Sequence, residues 1–314
     1  MTQTVGFDAA GSVGWGRAAA MMASDIKLAH SVFALPFAVF AAVLAGPVAG
    51  SSAREWSLFA AKLGLVIVCM VTARTWAMLV NRLLDRGIDG ENTRTRGRIF
   101  ASGALSARAG WIAACGCASA FVFAASGFLW FGNAWPILLS LPVLAWIAFY
   151  SLTKRFTALC HVVLGIALAA SPLAAALAVR PESLIDTPTL WWIAGFVTGW
   201  VAGFDVIYAL QDESFDRSRG LSSIPARLGT ARAIWASRVL HAAAWSCLMI
   251  GWMALWPRLG PMFGVGVLAV GGLLIWEHRI VARRGQAGLQ MAFFTVNGIV
   301  SCVLGCLGIL DSLS

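Results

Sequence analysis

Two groups of polar residues with helical spacing are the strongest candidates for chemistry in this chain: Asn81-x-x-x-Asp85-x-x-x-Asp89 and Asp205-x-x-Tyr208-x-x-x-Asp212-x-x-x-Asp216. At about 100° per residue, side chains four positions apart stay on one face of a helix. Mg²⁺ prefers oxygen ligands, and it usually takes one or two carboxylates together with phosphate oxygens of a substrate. We therefore expect two Mg²⁺ ions and a diphosphate here, held by the carboxylates of Asp85, Asp89, Asp212 and Asp216, with Asn81 on the same face as the first pair.

Basic residues follow both groups in the sequence. Arg94 and Arg98 come shortly after the first group, and Arg217 and Arg227 come after the second. Guanidinium groups bind phosphate oxygens in a forked geometry. We expect Arg94 and Arg98 to contact the diphosphate, with the other two as weaker candidates. One such group beside arginines is usually a solvated loop with surface ion pairs, but two groups in equivalent positions favour a binding site.

Asp205 and Tyr208 lie about two turns and one turn before Asp212, on the same predicted helix face. An acidic residue inside a membrane-spanning helix is usually functional. This predicts that Asp205 belongs to the site. The alternative is a structural carboxylate that only accepts a hydrogen bond from a neighbouring residue.

The composition is that of a membrane protein, because 60% of the 314 residues are hydrophobic, 12% are charged and the mean hydropathy is +0.81. We predict an all-α, multi-pass bundle of nine transmembrane helices that forms one membrane domain over 26–314. Residues 1–25 are a polar segment, expected to be disordered or to lie at the membrane surface. The nine apolar runs of spanning length are 28–47, 58–80, 109–129, 134–151, 159–178, 190–211, 232–255, 260–278 and 290–310.

The net charge of +9 is distributed unevenly over the predicted loops. Most arginines and lysines follow the even-numbered helices, and the opposite side carries only Arg54, Lys62, Arg180 and Arg258. By the positive-inside rule, the amino terminus and the loops with the acidic groups face the cytoplasm. The basicity therefore orients the chain in the bilayer, and it does not indicate nucleic-acid binding.

The two acidic groups occupy equivalent positions in the chain. Each follows a helix of the same direction, the second and the sixth, and each precedes a long polar loop. This arrangement is typical of a parallel internal repeat with a site at the interface between its halves.

Three segments carry a resemblance to the UbiA-type membrane prenyltransferases. Asn81-Arg-Leu-Leu-Asp85-Arg-Gly-Ile-Asp89, followed by Asn92-Thr-Arg94-Thr95-Arg-Gly-Arg98, resembles their first aspartate-rich motif. Asp205-Val-Ile-Tyr208-Ala-Leu-Gln-Asp212-Glu-Ser-Phe-Asp216-Arg, continuing to Gly220-Leu-Ser-Ser-Ile-Pro225, resembles the second. Tyr150-Ser-Leu-Thr-Lys154-Arg155-Phe-Thr is a third match.

The resemblance implies a helical bundle around a central cavity, with two Mg²⁺ ions and an isoprenoid diphosphate at its cytoplasmic end in a bacterial inner membrane. It implies that the metals and the diphosphate are contacted by Asn81, Asp85, Asp89, Asp212 and Asp216, with Asn81 among the metal ligands. Arg94 and Lys154 are then diphosphate contacts, Tyr150 is a substrate contact, and Asp205 and Tyr208 lie near the acceptor or the reacting carbon. Asp205 becomes a candidate proton acceptor, and the aromatic candidates beside an allylic cation are Tyr208, Trp76, Phe204 and Phe149.

The acceptor is expected to be an aromatic acid, whose carboxylate needs a cation. Lys27, His30 and Arg74 are the options near or within the membrane. The stretch Ile26-Lys27-Leu-Ala-His30-Ser-Val-Phe33-Ala-Leu-Pro36-Phe resembles the quinone-synthesis branch of the family, although Lys27 stands where relatives often carry arginine. This implies transfer of a polyprenyl group to an acceptor of the 4-hydroxybenzoate type in ubiquinone or menaquinone synthesis, with 1,4-dihydroxy-6-naphthoate as the alternative acceptor.

An ion-coupled transporter is the alternative of another class, with the carboxylates as proton or cation sites. Transporter sites usually lie near the midplane on broken helices. Here the acidic groups lie at the rim of the membrane beside arginine-rich loops, and the Tyr150 to Lys154 match would be unexplained. The sequence therefore favours the enzyme.

Overall fold

A computed structural model describes residues 14–26, 34–48 and 50–314, and within these ranges the chain is helical, with no strand. Eight helical segments are long and apolar enough to cross a membrane, which confirms an all-α, multi-pass fold. Helices α1 to α14 are Trp15–Asp25, Leu35–Ala45, Ala53–Leu84, Arg86–Glu91, Ala107–Ser126, Trp135–Thr153, Cys160–Val179, Ser183–Asp186, Thr189–Ala209, Glu213–Ser218, Ile224–Leu228, Thr230–Ala254, Pro261–Arg284 and Asn297–Leu313.

The predicted first span, 28–47, falls partly outside the described residues. Its described part contains α2, an apolar helix of 11 residues that is shorter than the eight spanning segments. The count of nine transmembrane helices therefore stays a prediction. Many apolar side chains on the outer faces are exposed, including Leu58, Ile67 and Val68 of α3, as expected where helices meet lipid.

Helix α9 forms the centre of the bundle, because almost its whole length is buried. Its Trp200 ring stacks on Phe196 at 5.7 Å and meets Phe37 of α2 edge-on at 5.5 Å. On its other side α9 lies against Gly165 of α7, where a Cβ atom would stand 2.2 Å from the Thr198 carbonyl oxygen. This close packing fixes the end of α9, which carries Asp205 and Tyr208.

Part of the predicted polar segment 1–25 is a helix packed on the bundle. In α1, Ala18 and Met22 are buried against Leu79 and Leu83 of α3. The Asp25 carboxylate accepts hydrogen bonds from Arg82 Nε and from the backbone N–H of Ile99, each at 3.1 Å. The described part of the segment is therefore ordered and contacts the loop after the first acidic group.

Both acidic groups lie where a long helix breaks into a short one. Helix α3 is about 48 Å long at 1.5 Å per residue; it begins with a Ser52–Glu55 capping box and ends at Leu84, and Asp85 joins it to α4. Helix α9 ends in a 3-10 turn, Leu210–Asp212, which leads into α10. Such breaks point successive carboxylates toward the space between the helices.

Candidate active site

A cavity of about 770 Å³ lies inside the bundle and brings the predicted site residues together. The predicted members that line it are Asn81, Asp85, Asp89, Arg94, Arg98, Tyr150, Lys154, Asp205, Tyr208, Asp212 and Asp216, together with Arg74. Its opposite part is lined by apolar side chains such as Val66, Met70 and Phe128. One cavity therefore combines a charged end with an apolar interior.

The two weaker phosphate candidates do not line the cavity. Arg217 forms an ion pair with Glu213 at 2.8 Å, and Arg227 donates a hydrogen bond to Ser222 Oγ at 2.9 Å. Both side chains are exposed, on the short helices α10 and α11, and they lie outside the cavity. Lys27 and His30 lie outside the described residues.

The first acidic group holds two buried carboxylates opposite cations. Asp85, only 1% exposed, lies 2.7 Å from Lys154 Nζ and 3.3 Å from Arg155 Nη2. Asp89, 4% exposed, accepts two hydrogen bonds from Arg98 Nη1, at 2.7 and 2.8 Å. Burying a carboxylate is costly unless it is paired, and these three cations provide the pairing at the surface of the cavity.

The second acidic group is joined to the loop after the first. Asp212 Oδ1 accepts hydrogen bonds from Asn92 Nδ2 and Arg94 Nε, both at 2.9 Å, and Arg94 also donates to the Tyr208 hydroxyl at 3.2 Å. Partial burial acts to lower the pKa of the Arg94 guanidinium, but the Asp212 carboxylate and Tyr208 outweigh burial and raise it. Arg94 is therefore a permanent cation between the two groups.

Asp216 differs from the other three carboxylates because its observed partner is neutral. Its Oδ2 accepts a hydrogen bond from Ser223 Oγ at 2.8 Å. The loop that carries Ser223 is held by the third matched segment, since the backbone N–H of Ser222 donates to the Lys154 carbonyl oxygen at 2.7 Å. The three matched segments thus form one connected site.

The donor set fits Mg²⁺ bound together with a diphosphate. Carboxylate and carboxamide oxygens are hard ligands suited to this ion. Across residues 14–26, 34–48 and 50–314, no three acidic, histidine or cysteine side chains converge to hold a metal alone. Since Mg²⁺ keeps waters and takes phosphate oxygens, one or two carboxylates per ion are enough.

A histidine that the sequence did not single out positions Asp205. His161, 3% exposed at the start of α7, has Nδ1 2.7 Å from Asp205 Oδ2. The backbone N–H of Ile224 donates to His161 Nε2 at 3.2 Å. Because Nε2 accepts this bond, the neutral ring carries its proton on Nδ1 and donates it to Asp205. Asp205 thus both lines the cavity and hydrogen-bonds a neighbour, and its role in the site stays a prediction.

Two further contacts were missed in the sequence, although both residues lie within the matched segments. Asn92 and Arg155 bind Asp212 and Asp85, respectively. For His161, the available signal was a lone polar residue at the start of an apolar span.

Aromatic side chains line the boundary between the charged and apolar parts. Tyr208 packs on Phe293 with ring centroids 4.2 Å apart, and Phe293 meets Phe204 edge-on at 5.2 Å. Phe293 and Phe294 come from a π-helical turn, Met291–Val296, that begins the last spanning segment. Such turns often occur at functional sites.

Two of the aromatic residues predicted to lie beside the allylic cation do not face the cavity. Trp76 donates its indole N–H to the Leu144 carbonyl oxygen at 3.2 Å, and Phe149 is 43% exposed between Trp146 and Phe156. Neither lines the cavity. The prediction was wrong for both because packing between helices, rather than position along one helix, decides which face points inward.

Comparison with known proteins agrees with this geometry. Residues 34–299 match the model of the UbiA prenyltransferase family. The chain belongs to the UbiA prenyltransferase family. It is therefore a membrane prenyltransferase, as the three matched segments predicted, and the transporter alternative is not supported.

The UbiA-family relatives include proteins named 4-hydroxybenzoate octaprenyltransferase. The one from Chromohalobacter salexigens is 27% identical over 246 residues, which cover 76% of this chain and 79% of the relative. The one from Salmonella paratyphi B is 30% identical over 263 residues, covering 79% and 85%.

Solved structures of UbiA homologues share the fold. The apo structure of a UbiA homologue from Aeropyrum pernix K1 has a TM-score of 0.77 and 31% identity, and the match covers 91% of this chain and 99% of that one. A homologue from Archaeoglobus fulgidus bound to GPP and Mg²⁺ has a TM-score of 0.63 at 18% identity, with 93% and 99% covered. The latter supports the fold alone.

Proposed function

We propose that this UbiA-family protein catalyses the Mg²⁺-dependent transfer of a polyprenyl group from polyprenyl diphosphate to a ring carbon of an aromatic acid of the 4-hydroxybenzoate type. The observation that carries the proposal is the cavity itself. Four carboxylates and several cations lie at one end of it, and beyond them the lining is apolar and suited to an isoprenoid chain.

The charged end provides the diphosphate site. Asn81, Asp85, Asp89, Asp212 and Asp216 would hold two Mg²⁺ ions, which when bound neutralise the diphosphate and stabilise it as a leaving group. Lys154 and Arg98, now paired with Asp85 and Asp89, would turn to the phosphate oxygens. Arg94 and Arg155 are placed to do the same.

The apolar interior provides the place for the prenyl chain. Side chains such as Val66, Phe128 and Leu164 line it, and burial of a hydrocarbon chain against them is favourable by about 0.8 kcal/mol per CH₂. The same walls exclude water, which would otherwise capture an allylic cation. The cavity therefore binds the donor at one end and protects the reacting carbon in the middle.

The reaction breaks the bond between the allylic carbon and the diphosphate oxygen, and the electron pair leaves with the diphosphate. Tyr208 and Phe204, whose rings lie at the boundary of the charged and apolar parts, stabilise the positive charge on the allyl group. The electron-rich ring of the acceptor then forms the new carbon–carbon bond. Asp205, oriented by His161, accepts the proton that this ring carbon loses.

Arg74 is the described cation best placed for the acceptor's carboxylate. It lines the cavity and, within the described part of the chain, it makes no hydrogen bond or ion pair. A guanidinium with no ion-pair partner among the described residues favours a carboxylate ligand. Lys27 and His30 remain candidates for the same role.

Two acceptors satisfy this chemistry, 4-hydroxybenzoate and 1,4-dihydroxy-6-naphthoate. The names of the relatives favour the first. The first acceptor would belong to ubiquinone synthesis, and the second to menaquinone synthesis. The relatives are bacterial, and the charge asymmetry of the loops supports an inner-membrane location with the charged end of the cavity facing the cytoplasm.

The test is to incubate the purified full-length protein with a long-chain polyprenyl diphosphate, Mg²⁺ and either acceptor, with EDTA in a parallel reaction. We expect a prenylated product from 4-hydroxybenzoate that EDTA abolishes. Product from the naphthoate alone would reassign the acceptor. If neither acceptor gave metal-dependent product, the proposal would be wrong.

A further inference from the structure

A second cavity, of about 620 Å³, lies between α12 and α13 and shares no lining residue with the active-site cavity. This volume is in the usual range for a ligand site. Its polar lining consists of Arg238, His241, His278 and Arg279, besides the indole of Trp245. The established family activity does not explain this cluster.

The cavity has an excess of positive charge. No acidic side chain lines it, and neither Arg238 nor Arg279 forms an ion pair with any described residue. Glu277 approaches the histidines, with Oε2 3.9 Å from His241 Nδ1, but it is fully buried and its Oε1 accepts a hydrogen bond from Asn297. The two exposed guanidinium groups are therefore available to an anion.

The histidine pair joins the cavity wall to the centre of the bundle. His241 Nε2 lies 3.2 Å from the Trp200 carbonyl oxygen, which can only accept, so Nε2 donates. His241 Nδ1 lies 3.1 Å from His278 Nε2, and in a neutral His241 it accepts from that nitrogen. The pair thus links α9, α12 and α13, and the charge at the cavity comes from the arginines.

The rest of the cavity is an apolar groove. Leu268, Ile275 and the Trp245 ring line it, and Gly271 and Gly272 leave its floor open. A Cβ atom on Gly272 would meet no atom within 4 Å, whereas one on Gly271 would stand 2.8 Å from Trp245 Nε1. A narrow hydrocarbon chain fits such a groove.

The arginines lie toward the end of the bundle that carries the carboxylates. Arg238 is eight positions after the start of α12, and Arg279 is five positions before the end of α13. The Arg238 guanidinium lies 5.8 Å from the ring centroid of Trp235, which is 64% exposed. Exposed tryptophan and arginine side chains are typical of the level of lipid headgroups.

We propose that this cavity binds one anionic phospholipid, with its phosphate on Arg238 and Arg279 and an acyl chain along the Gly271–Gly272 groove. Basic pockets between transmembrane helices are suited to acidic lipid headgroups. A bound lipid bridges α12 and α13 and supports the face of α9 opposite the active site. The proposal does not depend on the identity of the prenyl acceptor.

The test is native mass spectrometry of the full-length protein from detergent that contains phosphatidylglycerol or phosphatidylcholine. The wild type retains phosphatidylglycerol preferentially. In Arg238→Gln and Arg279→Gln the affinity for it falls about fivefold for each arginine removed, and Gly272→Phe, which fills the groove, loses the lipid. The control Arg283→Gln/Arg284→Gln removes two charges from the last turn of α13 and keeps the wild-type preference.

Several results would overturn the proposal. One is equal retention of the two lipids by the wild type. Another is a decrease in phosphatidylglycerol affinity in the control as large as that in the Arg238 and Arg279 variants. Retention of the lipid by Gly272→Phe would exclude the groove as the acyl site. If inorganic phosphate displaced the lipid at equal concentration, the site would be a simple anion site.

Discussion

At the scale of single residues, each of the five motif carboxylates accepts a hydrogen bond from, or forms an ion pair with, a residue brought to it by the fold. Asp85 meets Lys154, Asp212 meets Arg94, and Asp205 meets His161. The cations beside Asp85, Asp89 and Asp212 balance the charge of these carboxylates and remain close enough to bind phosphate. The site therefore contains basic side chains that offset the negative charge of its carboxylates.

Arg74 is predicted to set the affinity for the acceptor. Loss of a hydrogen bond to a charged group weakens binding by about 1.5–3 kcal/mol, so Arg74→Gln should raise the KM for 4-hydroxybenzoate about 10- to 100-fold. The KM for the donor should not change. Steady-state kinetics measures both, and Arg54→Gln, an exposed arginine at the other end of α3, is the control. Equal KM values in Arg74→Gln and the wild type would remove Arg74 from the acceptor site.

His161 is predicted to be a positioning residue for Asp205. His161→Phe removes both the donor to Asp205 and the acceptor of the Ile224 N–H, so kcat should fall about 10- to 100-fold with little change in the donor's KM. His161→Gln can donate and accept at the same places, and it should recover most of kcat with an unchanged pH profile. If Gln failed to rescue, or moved the pH profile, His161 would instead act by exchanging its own proton.

At the scale of elements, the sequence predicted the helices better than the contacts between them. The run 134–151 corresponds to α6, Trp135–Thr153, because hydrophobic length is a local property. The short helices α4, α10 and α11 were not predicted, since a few residues carry too little periodicity. The contacts of Arg94 with Asp212 and of His161 with Asp205 join residues far apart in the chain, so no local pattern marks them.

The contact of α7 with α9 is predicted to be the most sensitive to added volume. Gly165→Ala would place a Cβ 2.2 Å from the Thr198 carbonyl oxygen, so the two helices must separate at a cost of about 1–3 kcal/mol. Thermal unfolding in detergent should show a lower melting temperature. Gly116→Ala is the matched control, because a Cβ there meets nothing within 4 Å. A melting temperature in Gly165→Ala no lower than in this control would contradict the described packing.

At the scale of the whole molecule, the bundle separates a charged end from an apolar interior within one cavity. This follows from the order of residues along the chain, because the acidic motifs and most arginines stand at the ends of the apolar helices. It is also why family and reaction class could be inferred from the sequence, whereas the second cavity, formed across two helices, could not.

The location of the carboxyl terminus reports on the membrane topology. With nine transmembrane helices and a cytoplasmic amino terminus, the carboxyl terminus lies on the opposite side from the acidic motifs. A reporter fused after Ser314 that is active only outside the cytoplasm should therefore give signal, and one fused after Gly220 should not. Signal from the Gly220 fusion alone would invert the orientation, and signal from neither would favour an even number of spans.

The central claim is that two carboxylate motifs hold one metal-bound diphosphate. The most direct measurement is prenylated product formed by the wild type, Asp85→Ala and Asp212→Ala, each with Mg²⁺ and with EDTA, beside Asp186→Ala, a surface acid paired with Arg180. Either motif variant should lose more than about 100-fold in turnover while keeping its helical content, and Asp186→Ala should match the wild type. Full turnover in Asp85→Ala or Asp212→Ala, or product that EDTA leaves unchanged, would contradict the account.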